Sequence, residues 1–323
     1  MSIIENYLDP DVAYFLGLIA GRGTLHESSG DRKIIVEFPH KNLIAEGIKK
    51  QYVQQDHLSY SLSQIRERIY ELTESDISIE TDKHSSKLVL RFLRNCITWR
   101  NVNHLLKGCQ SYHEFEIPEQ IFLADTDVKK EFVRGISDCA GFIRDSNNYM
   151  DGKRRVYIEI NNKNWKLPVQ LCDLLQRHLL IPVQLVQWGH PNTREPQQVK
   201  KRGRTWAREH QIKIFSEAFL PVGFYVKYKN EILREFASAD VKRQQNVILC
   251  NPNPKLRRIA KKPKHPEEKN TILPSELRGK HFDTYWQICL NLGCQQCVQV
   301  DDKQIPIFDD VVEDEIRDDE QKA

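Results

Sequence analysis

Two stretches of the chain alternate large apolar residues with small ones at helical spacing. Residues 11–23 (DVAYFLGLIAGRG) carry Gly17 and Gly21 four positions apart, and residues 127–141 (DVKKEFVRGISDCAG) carry Gly135 and Cys139 at the same interval. Each stretch is predicted to be a helix. Glycine inside a helix costs about 1 kcal/mol relative to alanine. A small pair on one face therefore implies that another backbone comes close there. Asp11, following a proline, is the expected N-cap of the first helix.

Both helices head similar patterns. After the first, KIIVEF (33–38) is predicted as a strand, NLIAEGIKKQYV (42–53) as a helix, and RIYELT (68–73) and KLVLRF (87–92) as strands. NCITWRNVNHLLKG (95–108) is the closing helix, ending at Gly108, and 109–124 is a connector holding Pro118. After the second, VYIEINN (156–162) is a strand, KLPVQLCDLLQRHLL (166–180) a helix with proline in its first turn, and VQLVQWG (183–189) and HQIKIF (210–215) are strands joined by a long basic loop. SEAFLPVGFYVKYKNEILREFA (216–237) closes that half as a helical region broken at Pro221. The order helix, strands, helix, strands, helix thus recurs with a period of about 115 residues, too long for a solenoid unit.

Composition changes past residue 245. NPNPKLRRIAKKPKHPEEKN (251–270) reads as a linker or basic arm, ILPSELRGKHFDTYWQICLNLGC (272–294) as a small helical element, and 301–323 as an acidic, disordered tail. The expected organisation is a first repeat at 1–123, a second at 124–244, a basic linker with a small helical element at 245–300, and the tail. The chain's net charge of +3 conceals an asymmetry. The tail holds ten acids and three bases, a net of −7, so the rest carries +10. Such an excess favours a polyanion such as nucleic acid, with a solvated basic surface as the plainer alternative. The tail either shields that basic surface or serves solubility.

With 40% hydrophobic and 29% charged residues, the chain has the composition of a globular protein with a sizeable core. No apolar run approaches the roughly 20 residues of a membrane span. The N-terminal residues lack the features of a signal peptide, so an intracellular, cytoplasmic protein is expected, with its eight cysteines reduced. Cys289, Cys294 and Cys297, with His281 upstream, are a candidate zinc site. A single Cys-x-x-Cys is equally compatible with buried or free thiols, or with a redox pair.

The segments FLGLIAGRG (15–23) and VRGISDCAG (133–141), each followed by the strand and helix patterns above, resemble the LAGLIDADG homing endonuclease family in its single-chain, two-repeat form. The resemblance spans about residues 11–240. It implies an α+β fold with pseudo-twofold symmetry, a duplicated αββαββα saddle, extended here by a small C-terminal helical element. It also implies a monomer whose paired motif helices form the interface between halves, through Gly17, Gly21, Gly135 and Cys139. In the family, the last acid of each motif holds divalent metal beneath a DNA-binding saddle. Hard cations such as Mg²⁺ require oxygen ligands. Carried onto this chain, those positions are Arg22 and Ala140, and neither offers one.

The preceding acid of the motif corresponds to Ala20 and Asp138. Asp138 is then a capping or packing residue, or, together with Glu27 and Asp145, a displaced metal ligand. Arg22 either contacts a phosphate or satisfies carbonyls at the helix end. Phosphate contacts are expected from Arg32, Lys33, Arg66, Arg68, Lys87 and Arg91 in the first half. In the second they are expected from Lys153, Arg154 and Arg155 and from the loop residues Lys200, Lys201, Arg202, Arg204 and Arg208. The resulting expectation is a nucleic-acid-binding protein, DNA favoured over RNA, without nuclease chemistry and with no cofactor. The alternatives are a Mg-dependent endonuclease using displaced acids, a maturase-like RNA-binding protein, and a protein-interaction module.

Overall fold

The computed structural model describes residues 7–28, 31–43, 54–94, 96–144, 154–164, 166–183, 185–192 and 207–241. Helix α1 (Pro10–Arg22) begins at Asp9, whose side chain accepts from the Val12 amide, with Pro10 in the first turn. The N-cap is therefore Asp9 and not Asp11, which sits inside the first turn. Ten consecutive residues, Ala13 through Arg22, are buried. An all-round apolar helix of this kind belongs at the centre of a core.

From α1 the chain runs into β1 (Gly23–Glu27) and β2 (Arg32–Pro39), a short helix α2 (His40–Leu43), then α3 (Gln54–Thr73), β3 (Asp76–Thr81), β4 (Ser85–Phe92), α4 (Ile97–Leu105) and α5 (Glu119–Leu123). The second run is α6 (Thr126–Ala140), β5 (Gly141–Arg144), β6 (Arg155–Asn161), α7 (Lys166–Asp173, continued by a π turn Leu174–His178), β7 (Leu185–Asn192), β8 (Ala207–Phe215), α8 (Ser216–Phe219) and α9 (Lys227–Val241). Each run builds one four-stranded antiparallel sheet, ordered β1-β2-β4-β3 and β5-β6-β8-β7. Strand alternation fixes the core faces. Ile34, Val36 and Phe38 on β2, Val156, Ile158 and Ile160 on β6, and Ile212 and Ile214 on β8 are all buried.

Two further expectations differ from the structure. RIYELT is the end of helix α3 and not a strand: Leu62, Ile65 and Ile69 are buried one turn apart, a helical period that a six-residue window conceals. Strands β1, β3 and β5, absent from the sequence reading, are short and polar on one side. Of the helix expected over 42–53, the described residues include only Asn42 and Leu43, which end α2; the expected small element at 272–294 lies outside the described residues. Among the described residues, no helix is long and apolar enough to cross a membrane.

Helices α1 and α6 cross against each other at the centre. A Cβ on Gly17 would stand 2.1 Å from the Phe132 carbonyl oxygen, and one on Gly135 would stand 2.1 Å from that of Tyr14. The two backbones thus touch directly, each glycine lying under the other helix. One turn further along, a Cβ on Gly21 would meet the Cys139 sulfur at 2.6 Å. Cys139 Sγ itself donates to the Leu18 carbonyl at 3.4 Å. Any side chain at Gly17 or Gly135 has to displace backbone.

Candidate nucleic-acid interface

The C-terminal ends of the crossed helices, where the resemblance drawn from the sequence would set metal-holding acids, both carry buried cations. Arg22 closes α1 and is only 1% exposed. Its Nη2 donates to Glu209 at 2.8 Å and lies 3.8 Å from Glu159. Lys41, following β2, bonds Glu159 at 2.5 Å and approaches Glu209 to 3.5 Å. Gln211 donates to Glu159 at 3.0 Å. Both cations come from the first half and both acids from the second, so the cluster is an ionic clasp between halves.

Register assembles the acids. Asn161 pairs with Glu209 and Glu159 with Gln211 across β6 and β8, which puts the two glutamates on one face as diagonal neighbours. Burial, followed by the adjacent Glu209 carboxylate, pushes Glu159 up to about 7, against the smaller pull of Lys41 and Arg22. For Arg22, burial opposes the charge, but Glu209 and Glu159 outweigh it and hold the guanidinium protonated. The expectation that Arg22 meets a phosphate or lies exposed at the helix end is thus corrected: its charge is taken up internally.

At the end of α6, Ala140 has no ligand atom, and the cation is Lys229 of α9. Its buried ammonium donates to the carbonyls of Ser137 at 3.1 Å and Gly141 at 2.8 Å, satisfying carbonyls that a helix end leaves open. Burial pushes Lys229 down to about 8, with Asp138 pulling the other way. Asp138 is fully buried, accepting from Tyr14 Oη at 2.9 Å and from the Tyr225 amide at 3.0 Å. Burial raises its carboxyl above the usual range although Lys229 and these donors lower it. This is a packing role. Glu27 is bound by Arg32 at 2.5 Å, and Asp145 lies outside the described residues.

A divalent cation at these ends would need oxygen ligands. Arg22 supplies a fixed positive charge and Ala140 a methyl group, so the residues do not fit a metal. Among the described residues, no group of three or more histidines, cysteines or acids is arranged to hold one. His281, Cys289, Cys294 and Cys297 lie outside the described residues.

The predicted phosphate contacts separate into several situations. On the outer face of the first sheet, register sets Lys33 beside Arg91 and Arg91 beside Asp76, and it flanks Lys87 with Glu37 and Glu80. Arg91 lies 3.8 Å from Asp76, and Lys33 pairs with Asp31. These cations are balanced by acids. Arg66 and Arg68 lie on α3 and not on a strand. Arg66 donates to the Ile77 carbonyl at 3.1 Å. Arg68 lies over the adjoining rings of Tyr14 at 4.0 Å and Tyr225 at 4.6 Å, and pairs with Asp11 at 2.6 Å and Glu131 at 3.0 Å. Its role is to tie the halves together.

In the second half, Arg155 is 1% exposed, its guanidinium 5.3 Å from the Phe215 ring, which corrects the expectation of a surface contact. Arg154 stacks on Phe236 at 5.3 Å. Arg208, on β8, pairs in register with Pro191 of β7. Lys153, Lys200, Lys201, Arg202 and Arg204 lie outside the described residues. Sequence reasoning missed Lys41, Glu159, Glu209 and Lys229, because no local spacing marks them.

No family model and no curated protein matches the sequence. Among solved structures, a variant of the homing endonuclease I-DmoI in complex with its target DNA and manganese aligns at 16% identity, covering 69% of this chain and 97% of that one, with a TM-score of 0.37. Full-length WhiA from Thermatoga maritima aligns at 14% identity over 77% of this chain and 64% of that one, with a TM-score of 0.40. The N-terminal LAGLIDADG domain of WhiA aligns at 13% identity over 75% and 88%, with a TM-score of 0.37.

Proposed function

We propose that this chain is a DNA-binding protein on a LAGLIDADG-type saddle without metal-dependent nuclease chemistry. The observation that carries the reading is the chemistry of the crossed helix ends. Cleavage by a metal mechanism needs oxygen ligands that bring a cation to the scissile phosphate. In place of such ligands this chain has Arg22, neutralised by Glu209 and Glu159, and Ala140. The +10 excess outside the acidic tail supplies the attraction to a polyanion. Asp138 and Glu27 offer no support for displaced catalysis, because both carboxylates already have protein partners.

The test is retention and cleavage scored together. The full chain is incubated with random-sequence duplex DNA and with structured RNA, with Mg²⁺ or Mn²⁺ and with chelator. Expected is retention of duplex DNA that weakens with salt, by a slope of about 0.9 for each phosphate contacted, with no cuts under either condition. Metal-dependent cuts that vanish with Asp138→Ala overturn the reading. So does absence of retention at low salt, which favours a protein-interaction module, and so does a preference for RNA, which favours the maturase-like alternative.

A further inference from the structure

The cations of the first sheet are balanced in register, yet one cluster in the same half is not. Helix α4 presents Arg100, Asn103 and His104 at positions i, i+3 and i+4, hence on one face, and Lys107 follows just past its end. They line a cleft of about 370 Å³ whose other walls are Trp99, Gly108 and the ion pair of Arg32 with Glu27. The opposite face of α4 is anchored in the core by Trp99, Val102 and Leu105. The polar stripe is therefore held rigidly outward. Arg32 is held by Glu27, and its guanidinium lies 5.9 Å from the Trp99 ring. Glu27 is thus spent on Arg32. Arg100, His104 and Lys107 have no acidic partner among the described residues. Lys107 also takes a left-handed backbone (φ 54°) just past the end of α4, followed by Gly108 (φ 74°). The Gly108 amide donates to the Asn103 carbonyl at 2.8 Å, so this turn closes the helix end.

We infer that this cleft is a phosphate-binding subsite that takes a backbone phosphate of duplex DNA away from the outer sheet faces. The inference rests on the DNA-binding reading above. Arg100 provides a planar fork of donors and Lys107 a point charge, the two forms of phosphate contact. Asn103 adds a neutral donor between them. The ligand class is a phosphodiester, and the shared chemistry admits a free phosphate anion as the other source.

The test compares the full-length protein with Arg100→Ala/Lys107→Ala. Both residues are exposed, so thermal unfolding followed by circular dichroism should be unchanged. A control, Lys227→Ala/Arg234→Ala, removes the same charge from exposed positions on α9. DNA affinity is measured across a salt series. The expected result is weaker binding with the salt slope reduced by about 1 for each cation lost, and an unaltered slope in the control. Retained affinity and slope in the Arg100/Lys107 variant overturn the inference alone. An equal loss in the control does the same, since it reports net charge and not a site. If the wild-type protein fails to retain DNA, the functional reading falls and the inference with it. Calorimetric titration with pyrophosphate separates the two sources. Binding heat lost in the variant while its DNA slope stays unchanged assigns the cleft to a free phosphate anion and overturns the DNA assignment.

Discussion

Replacing Arg22 by methionine removes the charge from the centre of the clasp while keeping much of the side-chain length. In the wild-type protein the Arg22, Glu159 and Glu209 side chains are all exposed by 1% or less. Removing one partner of a buried ion pair costs about 3–5 kcal/mol, because the other charge is left uncompensated. Lys41 remains 2.5 Å from Glu159 and 3.5 Å from Glu209 and offsets part of that. A loss of about 3 kcal/mol at pH above the Glu159 value is expected.

The loss must also depend on pH. Glu159 is raised to about 7 in the folded protein from 4.5 for the free side chain. The folded state then binds this proton more tightly than the unfolded state, so stability falls as pH rises from 4.5 through about 7. Without the guanidinium the carboxylates are harder still to ionise, and the fall continues to higher pH. Urea denaturation at about one pH unit above and below the Glu159 value should show the gap between wild type and Arg22→Met widening with pH. Adding Glu209→Gln should recover a good part of the deficit. A gap independent of pH, or a double variant no better than the single one, would refute the clasp.

Three further outcomes follow from the same contacts. Gly135→Ala gains about 1 kcal/mol of helix propensity but sets a methyl 2.1 Å from the Tyr14 carbonyl. A net destabilisation of about 2 kcal/mol in urea denaturation is expected, and a neutral result would mean the helices do not touch there. Lys229→Met should abolish a pH-linked stability gain. Lys229 is lowered from 10.5 to about 8 on folding, so the unfolded chain binds more protons between those values and wild-type stability rises with pH there. That rise amounts to about 3 kcal/mol and is read as the difference between the two proteins in alkaline denaturation. A difference that does not change with pH would contradict it. Arg68→Ala should lower stability by about 1–3 kcal/mol through loss of its ring contacts and ion pairs while leaving the salt slope of DNA binding unchanged; a reduced slope would make Arg68 a phosphate contact after all.

The parts of the molecule legible in one dimension are those whose determinants are local. Small residues four apart in the apolar segments of α1 and α6 announced a helix face against which backbone must pack, since that requirement is written at i and i+4. Strand alternation in β2, β4, β6 and β8 and the turn of α4 were legible for the same reason, as was the absence of carboxylates at positions 22 and 140. Residues 68–73 misled because a short window fits both periods, and only the full length of α3 distinguishes them.

What the sequence could not contain is which charge meets which. Arg22 reads as a free cation at a helix end until strand register brings Glu159 and Glu209, fifty residues apart, onto one face beneath it. Lys229 becomes a cap for α6 only because α9 returns across that helix end. Lys87 and Arg91 look like phosphate contacts until β2, β3 and β4 align them with Glu37, Glu80 and Asp76. Conversely, Arg100 and Lys107 stand out only when the fold pairs neither with an acid among the described residues. Apolar periodicity is set by the geometry of each element alone. The environment of a charge is set by whatever tertiary structure brings within a few ångströms, and that distance has no counterpart along the chain.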